Sequence, residues 1–367
     1  MTKTVRTALM QAAMPLQRTR TAFSISSELM SEDMYRALRE GAGLLERSSR
    51  GLIAIGGSDR ADYLQGQLTN DVVALADREG CYSAHLTPNG RMIADMDVFS
   101  AGDHVFLDVD GGVKDSLVTR FQDLIFAEDV VVSDRTESWT SYGVSGPESP
   151  GIVSAALESV GAEGLTAAET PVDYQVAQLL VGDASLITAR TDFLGMPGFS
   201  LWVERAGAAS LSEALIENGC TQVDATAADV IRVENGRPVF PTDLGGGVIP
   251  LEAGIEDRAI SFTKGCYVGQ EVIIRILHRG QGRVARRLTG LKLASSDVAS
   301  SPSVGAILWN GDKEVGRLTS VALSPAVGSL VALGYVAREH LEPGTVLEAD
   351  APSGRSTVVV TKLPFVS

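Results

Sequence analysis

The chain has 367 residues, of which 44% are hydrophobic and 21% are charged, and its formal net charge is −15. A chain of this length exceeds what one hydrophobic core usually organises, so we expect two or three domains. The acidic balance repels phosphate backbones and anionic lipid surfaces, which argues against extended contact with nucleic acid or a membrane. A local basic patch can still bind a small anion.

Three cysteines, Cys81, Cys220 and Cys266, are far apart in the sequence and form no CxxC pair. This spacing favours neither a disulfide framework nor a zinc site, and it predicts a reducing compartment. Together with only four histidines, it makes the four usual ligands of an iron–sulfur cluster hard to supply from one chain. We therefore expect no bound metal, and only an indirect or intermolecular link to such clusters. No apolar run reaches the roughly 20 residues of a membrane-spanning helix.

Residues 1–48 are predicted to form an N-terminal extension and a lead-in helix. Four basic residues precede Glu28, the first acid, in a segment rich in Thr and Ser: Lys3, Arg6, Arg18 and Arg20. This composition fits an organelle-import signal, but we favour an extension of a bacterial protein and hence a cytoplasmic location. In a eukaryotic chain it indicates the mitochondrial matrix. Residues 31–45 then carry apolar side chains at helical spacing.

Residues 49–140 are predicted to form a first α+β unit. Short apolar or alternating runs predict strands at residues 51–55, 81–86, 91–99 and 105–109. One helix is predicted after Asp59, and another after the last of these strands. Thr87-Pro88-Asn89-Gly90 is a turn signal, which makes the second and third strands a hairpin. Alternation along the third strand places Asp95 and Asp97 on one face of the sheet.

Residues 141–282 are predicted to form a second α+β unit, because a comparable order recurs there. Strand-like residues 178–188 and 198–203 precede an Ala- and Leu-rich helix that ends at Asn218-Gly219. In residues 283–367 short strands alternate with turns, as expected of a small all-β domain. The predicted fold class is α+β, with two related α+β units followed by a β-domain.

The most informative segment is the octapeptide Lys264-Gly265-Cys266-Tyr267-Val268-Gly269-Gln270-Glu271. Its glycines allow the backbone to approach a ligand or another chain closely. The charge of Lys264 and the N-terminus of a helix predicted from Val268 both favour a thiolate, which makes Cys266 a candidate reactive thiol. The alternative for a lone cysteine is a small buried residue at a helix start.

The octapeptide resembles the signature K-G-C-Y/F-x-G-Q-E of the YgfZ-type folate-binding proteins. These proteins are related to the glycine-cleavage T-protein and include mitochondrial iron–sulfur assembly factors. Leu68-Thr69-Asn70-Asp71-Val72 resembles the L-x-N-D-V motif of the same superfamily, and Arg232-Val233-Glu234-Asn235-Gly236 resembles its R-x-E-x-G helix. The hairpin at residues 86–98 resembles the one that bears the catalytic aspartate of the T-protein, and the C-terminal strands resemble its terminal barrel.

The resemblance implies a cloverleaf of two related α+β units and a C-terminal β-barrel around a central folate-sized cavity. The implied cofactor is tetrahydrofolate or another reduced folate. Asp95 falls at the aspartate that faces the reactive nitrogens of folate, where a carboxylate can exchange a proton or stabilise an iminium-like transition state. Without the resemblance Asp95 is an ordinary solvated strand residue, and Asp97 keeps that interpretation because no motif falls on it.

The site residues that the resemblance implies fall into two groups. The functional chemistry is assigned to Cys266 and Asp95. The folate-binding positions are Asp95, Asn70, Arg232, Lys264, Tyr267, Gln270 and Glu271.

One position departs from the T-protein pattern. Residues 190–199 resemble the stretch T-G-Y-T-G-E-x-G-F/Y, but Met196 replaces the glutamate that grips the pterin ring. The missing acceptor costs on the order of 1 to 3 kcal/mol unless another group compensates. This departure argues against full aminomethyltransferase activity, tight pterin binding, or both.

A basic cluster interrupts the acidic sequence between residues 275 and 287. Its members are Arg275, His278, Arg279, Arg283, Arg286 and Arg287. The cluster is expected either to receive a folate glutamate tail, a phosphate or an acidic partner, or to form a solvated surface without a ligand. The sequence does not decide between these alternatives.

The function that the resemblance implies is that of a tetrahydrofolate-binding accessory protein for the assembly or repair of iron–sulfur enzymes. Iron–sulfur assembly proteins or client enzymes are then the expected partners, and any effect on tRNA modification is indirect. The alternative is a folate-dependent aminomethyltransferase of glycine cleavage, or another one-carbon transferase, that uses Asp95. We expect a monomer, because the cloverleaf closes on itself.

Overall fold

The computed structural model of the protein describes residues 30–162, 174–245, 247–293 and 301–366. The basic residues Lys3, Arg6, Arg18 and Arg20 lie outside the described residues, so the interpretation of the N-terminus stays a prediction.

The described chain begins with helix α1 (Glu32–Glu40) and strand β1 (Gly43–Glu46). The prediction of a helix as far as residue 45 is therefore wrong at its end. Two glycines interrupt the helix, and Gly43 lets α1 pack closely on β1, since a Cβ atom there would lie 2.6 Å from the Leu38 side chain. Leu45, predicted as helical, pairs with neighbouring strands instead.

The first unit is a five-stranded sheet with two helices on one face. Its elements are β2 (Arg50–Gly56), α2 (Arg60–Gln67), β3 (Gly80–Leu86), β4 (Met92–Ala101), β5 (His104–Asp110), α3 (Gly111–Asp123) and β6 (Val131–Asp134). The strand order is β3-β4-β5-β2-β6. These elements confirm the predicted strands, both helices and the hairpin, in which Gly90 takes the left-handed conformation that the turn requires.

The face of β4 that carries Asp95 and Asp97 is buried. Ala94, Met96 and Val98 contact α2 and α3 in one core, which turns both aspartates to the opposite face as alternation predicts. The expectation that Asp97 is solvated is wrong, as is the alternative of a solvated Asp95, because the second unit covers this face: Asp95 is 8% exposed and Asp97 is 7% exposed.

The second unit is a six-stranded sheet with the order β11-β1-β7-β10-β9-β8. Its further elements are β7 (Trp139–Ser145), α4 (Ser149–Ser159), β8 (Val176–Val181), β9 (Ala184–Thr191), β10 (Gly198–Glu204), α5 (Ala208–Glu217) and β11 (Thr221–Val223). The single strand-like run predicted at residues 178–188 is two strands, because Gly182, with a φ of 60°, allows a tight turn within it.

The two sheets pack face to face through a shared hydrophobic layer. Phe99 and Phe106 of the first sheet meet Trp139, Ile187 and Trp202 of the second in one buried cluster. The two-unit arrangement that the sequence predicts is thus confirmed, with polar groups of β4 enclosed beside this layer.

Further α-helices and a closed barrel complete the described part of the chain. The helices are α6 (Ala225–Glu234), α7 (Pro250–Ala253), α8 (Glu256–Ala259) and α9 (Gln270–Arg279). The barrel strands are β12 (Arg286–Leu293), β13 (Ile307–Asn310), β14 (Lys313–Ser324), β15 (Ser329–Ala337), β16 (Val346–Ala351) and β17 (Gly354–Thr361). They close in the order β12-β15-β14-β13-β16-β17, as predicted for the C-terminal segment.

The domain boundaries at residues 48, 140 and 282 stay a proposal. Strand β1, from the segment assigned to the N-terminal extension, joins the second sheet, and β7 runs across the boundary at residue 140. The units are therefore interleaved in the sequence more than the predicted division suggests.

Helix α6 joins the N-terminal helix to the barrel through the motif R-x-E-x-G. Glu234 has no exposed surface, and its carboxylate accepts hydrogen bonds from Tyr35 and Arg39 of α1 and from Ser324 of β14. Gly236 follows in the left-handed conformation and lies against the Leu363 side chain. The glutamate of this motif thus fixes three parts of the fold at one point.

Replacing Glu234 with Ala is expected to lower the free energy of unfolding by about 3 kcal/mol, because the Arg39 charge loses its buried partner. Urea unfolding followed by circular dichroism measures this change. Glu40→Ala, which removes an exposed carboxylate from the end of α1, is the matched control and is expected to change stability by less than about 0.5 kcal/mol. Equal stability of the two variants would contradict the role given to Glu234.

Candidate functional site

Asp95 presents one buried carboxylate oxygen for which the described part of the chain supplies no partner. Its Oδ2 atom accepts a hydrogen bond from the Tyr82 hydroxyl at 2.6 Å. Its Oδ1 atom is buried without a hydrogen-bond partner among the described residues. Leaving a buried acceptor unpaired costs about 1 to 3 kcal/mol, so an N–H group of a ligand gains affinity by bonding there.

Tyr82 holds the other oxygen of that carboxylate as a permanent donor. Burial, and next the charge of Asp95, raise the pKa of Tyr82 well above its ordinary value. The phenol therefore stays protonated at neutral pH and continues to donate its hydrogen bond. This bond fixes the orientation of Asp95 and leaves Oδ1 as the atom available to a ligand.

Two arginines border the Tyr82 ring. The guanidinium carbon of Arg258, on α8, is 3.8 Å from the ring centroid, and that of Arg237 is 5.8 Å away. Both approach Asp192, which follows β9: Arg237 hydrogen-bonds to its Oδ1 atom, and Arg258 Nη2 lies 3.7 Å from the same atom. Alternating charges thus surround the tyrosine that positions Asp95.

Asp97 is a second buried carboxylate on the same face of β4. The Tyr174 hydroxyl donates a hydrogen bond to its Oδ1 atom at 2.8 Å. Burial, and next the charge of Asp108, raise the pKa of Asp97 to about 6, while the nearby arginines act in the opposite direction. Asp97 therefore titrates closer to neutral pH than an exposed aspartate does.

Asp108 on β5 forms ion pairs with two arginines beneath the two carboxylates of β4. Arg50 Nε donates to its Oδ1 atom at 2.6 Å, and Arg47 Nη2 lies 3.2 Å from its Oδ2 atom. Trp202 Nε1 of the second sheet also donates to Oδ2, at 3.1 Å. Burial acts to raise the pKa of Asp108, but the charges of Arg47 and Arg50 outweigh this effect and hold the pKa below its ordinary value. This ionised carboxylate links the two sheets under the site.

Lys264, predicted to bind folate, anchors the octapeptide to the protein. Its ammonium group donates to the carbonyl oxygens of Gln65, Leu68 and Asn70 at 2.7, 2.7 and 2.8 Å. An ammonium group has three N–H donors, so none is left for a ligand in this geometry. Burial lowers the pKa of Lys264 to about 8.

The other predicted residues of the octapeptide differ in exposure. Cys266 is exposed, so the alternative of a buried cysteine is wrong. Tyr267 is buried in the central hydrophobic cluster, and burial raises the pKa of its hydroxyl to about 12. Gln270 and the exposed Glu271 begin α9, two residues later than the helix start that we predicted, because Gly269 precedes the helix in the left-handed conformation.

Gly269 brings the octapeptide against the hairpin that carries Asp95. A Cβ atom at this position would lie 2.6 Å from the Thr87 carbonyl oxygen and 3.2 Å from the Gly90 Cα atom. The glycine is thus required by close backbone approach, which the sequence pattern predicted without naming the partner. The octapeptide supports the hairpin, and its thiol points outward.

Asn70 and Arg232, also predicted to bind folate, have protein partners. The Asn70 amide donates to the carbonyl oxygens of Tyr82 and Arg258 at 2.9 and 3.1 Å, which fixes the two residues that stack beside Asp95. Arg232 is buried and donates to Asp229, Asp243 and Ser320. Arg232 also donates to the carbonyl oxygen of Arg237 at 3.3 Å, so both residues hold the backbone of residues that border the Tyr82 ring.

Sequence reasoning missed four side chains that surround the two carboxylates: Tyr82, Tyr174, Asp192 and Arg258. For Tyr82 alone the sequence gives a signal: it pairs with Asp97 in the hairpin register, so both side chains lie on the same face of the sheet. The others come from distant segments with no motif of their own. Asp192 lies only four residues before Met196, which packs in the hydrophobic cluster around Leu194 and Ile231 instead of facing a polar ligand.

The basic cluster is partly neutralised by acidic neighbours. Arg286 Nη2 lies 3.3 Å from Glu252 Oε2, and Arg287 Nη2 lies 2.8 Å from Glu256 Oε1. Arg275, His278 and Arg283 are exposed, and the Arg279 side chain lies outside the described residues. The choice between an anion site and a solvated surface stays open.

Two surface hollows, of about 480 and 460 Å³, lie beside α3 and beside the barrel, and neither borders Asp95. The Tyr82 and Tyr174 hydroxyls contact the two carboxylates, and Arg258 lies over the Tyr82 ring. Within the described ranges, no group of three or more His, Cys, Asp or Glu side chains is placed to hold a metal ion. None of the helices there combines the length and the apolar character needed to cross a membrane.

Comparisons with known proteins cover nearly the whole chain. The family model described as the GCVT N-terminal domain matches residues 7–264, and that of the glycine cleavage T-protein C-terminal barrel domain matches residues 286–367. An aminomethyltransferase of Corynebacterium jeikeium is 27% identical over 361 residues, which cover 93% of this chain and 91% of the relative. One of Rubrobacter xylanophilus is 29% identical over 305 residues, covering 83% and 78%.

A solved structure shares the fold. The crystal structure of glycine cleavage system aminomethyltransferase T from Bartonella henselae matches with a TM-score of 0.79 and 21% identity, covering 91% of this chain and 89% of that one. The match includes both α+β units and the barrel, so the predicted three-part architecture is confirmed.

The pH dependence of stability tests the burial of Asp97. Its pKa is raised, so its contribution to stability is fully present below its ordinary pKa near 3.8 and is lost as the pH rises through about 6. Asp97→Asn, which cannot ionise, is expected to gain about 1 to 3 kcal/mol relative to the unchanged protein between pH 4 and pH 7. Urea unfolding across this range measures the gain, with the exposed Asp62→Asn as control. Parallel curves for Asp97→Asn and the unchanged protein would show that Asp97 is ionised without penalty.

Proposed function

The chain belongs to the glycine-cleavage T-protein family, and from this premise we propose that it binds tetrahydrofolate beside Asp95 and uses this carboxylate in a one-carbon transfer. The narrower resemblance to YgfZ-type proteins stays a prediction, because the matching family models describe the T-protein superfamily as a whole. The relatives named above are aminomethyltransferases, which favours the transferase alternative over the accessory function that we first inferred from the octapeptide.

The observation that carries this proposal is the unpaired Oδ1 atom of Asp95. The atom is buried, faces no donor among the described residues, and belongs to a carboxylate whose other oxygen is fixed by Tyr82. A reduced pteridine presents N–H donors and bears nitrogens at which positive charge develops during one-carbon transfer. The residues present therefore fit such a ligand, because a buried carboxylate can accept an N–H hydrogen bond and stabilise a positive charge that develops beside it.

The surroundings of Asp95 suit this role for two reasons. Tyr82 does not transfer its own proton to the carboxylate, because the pKa of its hydroxyl is raised well above its ordinary value. Burial excludes water from the carboxylate, so a proton delivered there comes from the ligand rather than from solvent. Tetrahydrofolate supplies the nitrogens that accept the one-carbon unit, and Asp95 orients them and holds or returns a proton at Oδ1.

A second candidate function rests on Cys266. Its thiol is the exposed one among the three cysteines, while burial raises the pKa of both Cys81 and Cys220 to about 12. The thiol lies on a loop that Lys264 and Gly269 hold in place, so it is open to reaction with a partner, which fits the accessory function. The replacement at Met196 also favours a function other than full aminomethyltransferase activity.

Asp95→Asn is expected to lower the rate of one-carbon transfer by roughly 10²- to 10⁴-fold, because the charge and the proton acceptor are lost while the shape is kept. The measurement is the formation of methylenetetrahydrofolate in a reconstituted glycine-cleavage system that lacks its own T-protein. Asp103→Asn, in the exposed turn after β4, is the matched control and is expected to keep the rate. Transfer by Asp95→Asn at the unchanged rate would refute the role of Asp95.

The two candidate functions separate in a host that lacks its own copy of the protein. If the accessory function is correct, the unchanged chain restores a [4Fe–4S] enzyme under oxidative stress and Cys266→Ala does not, whereas Thr263→Ala on the same loop does. If the transferase function is correct, glycine-cleavage flux responds to the chain, and Asp95→Asn abolishes the response while Cys266→Ala keeps it.

A further inference from the structure

Arg258 is a largely enclosed guanidinium group that makes no hydrogen bond within the described part of the chain. One quarter of its side-chain surface is exposed, and its closest charged neighbour, Asp192 Oδ1, lies 3.7 Å from Nη2, beyond hydrogen-bond distance. The group carries five N–H donors, and none of its nitrogens is both fully buried and unpaired, so solvent reaches them in this structure and a ligand can replace that solvent. The neighbouring Arg237 shows the ordinary case, since it hydrogen-bonds to the same Asp192 oxygen.

The position of Arg258 is fixed although its donors are unpaired. Its guanidinium plane lies over the Tyr82 ring at 3.8 Å, and its backbone carbonyl accepts a hydrogen bond from Asn70. The same Asn70 amide bonds to the backbone of Tyr82 at 2.9 Å. The stack is therefore held from both sides, and Arg258 does not depend on a bond from its own side chain to stay in place.

Tyr82 contacts Arg258 with its ring and Asp95 with its hydroxyl. Among the described residues, the Arg258 side chain makes no hydrogen bond and the buried Oδ1 atom of Asp95 faces no donor. A ligand that satisfies both must present a hydrogen-bond donor toward Asp95 and an oxygen acceptor toward Arg258. The pteridine of a reduced folate has both, in its ring N–H groups and its 4-oxo group.

We infer that Arg258 is a ligand-binding residue that donates to the 4-oxo oxygen of the folate pteridine and so orients the ring against Asp95. This inference rests on the proposed folate site. It also explains how a pteridine can bind although Met196 replaces the glutamate of the T-protein pattern. A charge-assisted hydrogen bond from Arg258 orients the ring in place of the missing carboxylate. Asp192 keeps the guanidinium charge compensated when no ligand is bound.

The test compares tetrahydrofolate with its 4-amino-4-deoxy analogue, which offers an N–H donor where the 4-oxo ligand offers an acceptor. Isothermal titration of the full chain is expected to show tighter binding of the 4-oxo ligand, by roughly 10- to 100-fold. In Arg258→Met this preference is expected to disappear, with the loss falling on the 4-oxo ligand. Arg287→Met, which removes a guanidinium that pairs with Glu256 of the same helix α8, is expected to keep the preference.

The ligand comparison also guards against a folding defect, because a variant that merely loses structure binds both ligands less well by the same factor. Such parallel losses in Arg258→Met overturn the assignment of Arg258, as does an unchanged preference for the 4-oxo ligand. If the unchanged chain binds neither ligand, the folate site itself fails, which separates that failure from the failure of Arg258. Restoration of part of the preference by Arg258→Lys supports a donor role.

Discussion

Burial of the polar face of β4 between two sheets is the constraint on which the rest of the site depends. A strand of an antiparallel sheet with one solvated face can carry aspartates at little cost, but here the second unit covers that face. Asp95 and Asp97 are consequently 8% and 7% exposed and need partners, which Tyr82 and Tyr174 supply. The Oδ1 atom of Asp95 is left without a partner among the described residues, and the proposed function depends on this atom.

The charges around the two carboxylates explain why burial is tolerated. Asp108 with Arg47 and Arg50 forms an ion cluster beneath β4, and Trp202 ties it to the second sheet. These arginines oppose the effect of burial on Asp97, whose pKa is nevertheless raised to about 6. On the opposite side of Tyr82, Arg258 and Asp192 provide a second pair of charges. Charged and polar groups from both sheets therefore balance the buried carboxylates, and neither sheet alone encloses the site.

The architecture could be predicted from the sequence because the patterns that specify it are local. The turn Thr87-Pro88-Asn89-Gly90, the alternation along β4 and the turn-rich C-terminal segment each specify structure within a few residues. Where a local signal was misjudged, glycine was the cause, as in the helix that ends before Gly43 and the run that Gly182 divides into two strands.

The candidate site was predictable only in part, because its partners come from separate segments. Asp95 and Cys266 were found through motifs, and the structure buries one and exposes the other. The motifs also contain Lys264, Asn70 and Arg232, but these side chains donate to groups of the protein itself. The sequence does not show these acceptors, so it could not distinguish a structural donor from a ligand-binding one. Arg258 has no motif, and only its position over Tyr82 draws attention to it.

The role of Asp95 can be tested in a crystal structure of the chain with bound tetrahydrofolate or with its stable 5-formyl derivative. We expect a pteridine ring nitrogen about 2.7 to 3.2 Å from the Oδ1 atom of Asp95, with the Tyr82 bond to Oδ2 retained. A folate bound elsewhere, or an Oδ1 atom still without a partner in the complex, would contradict that role.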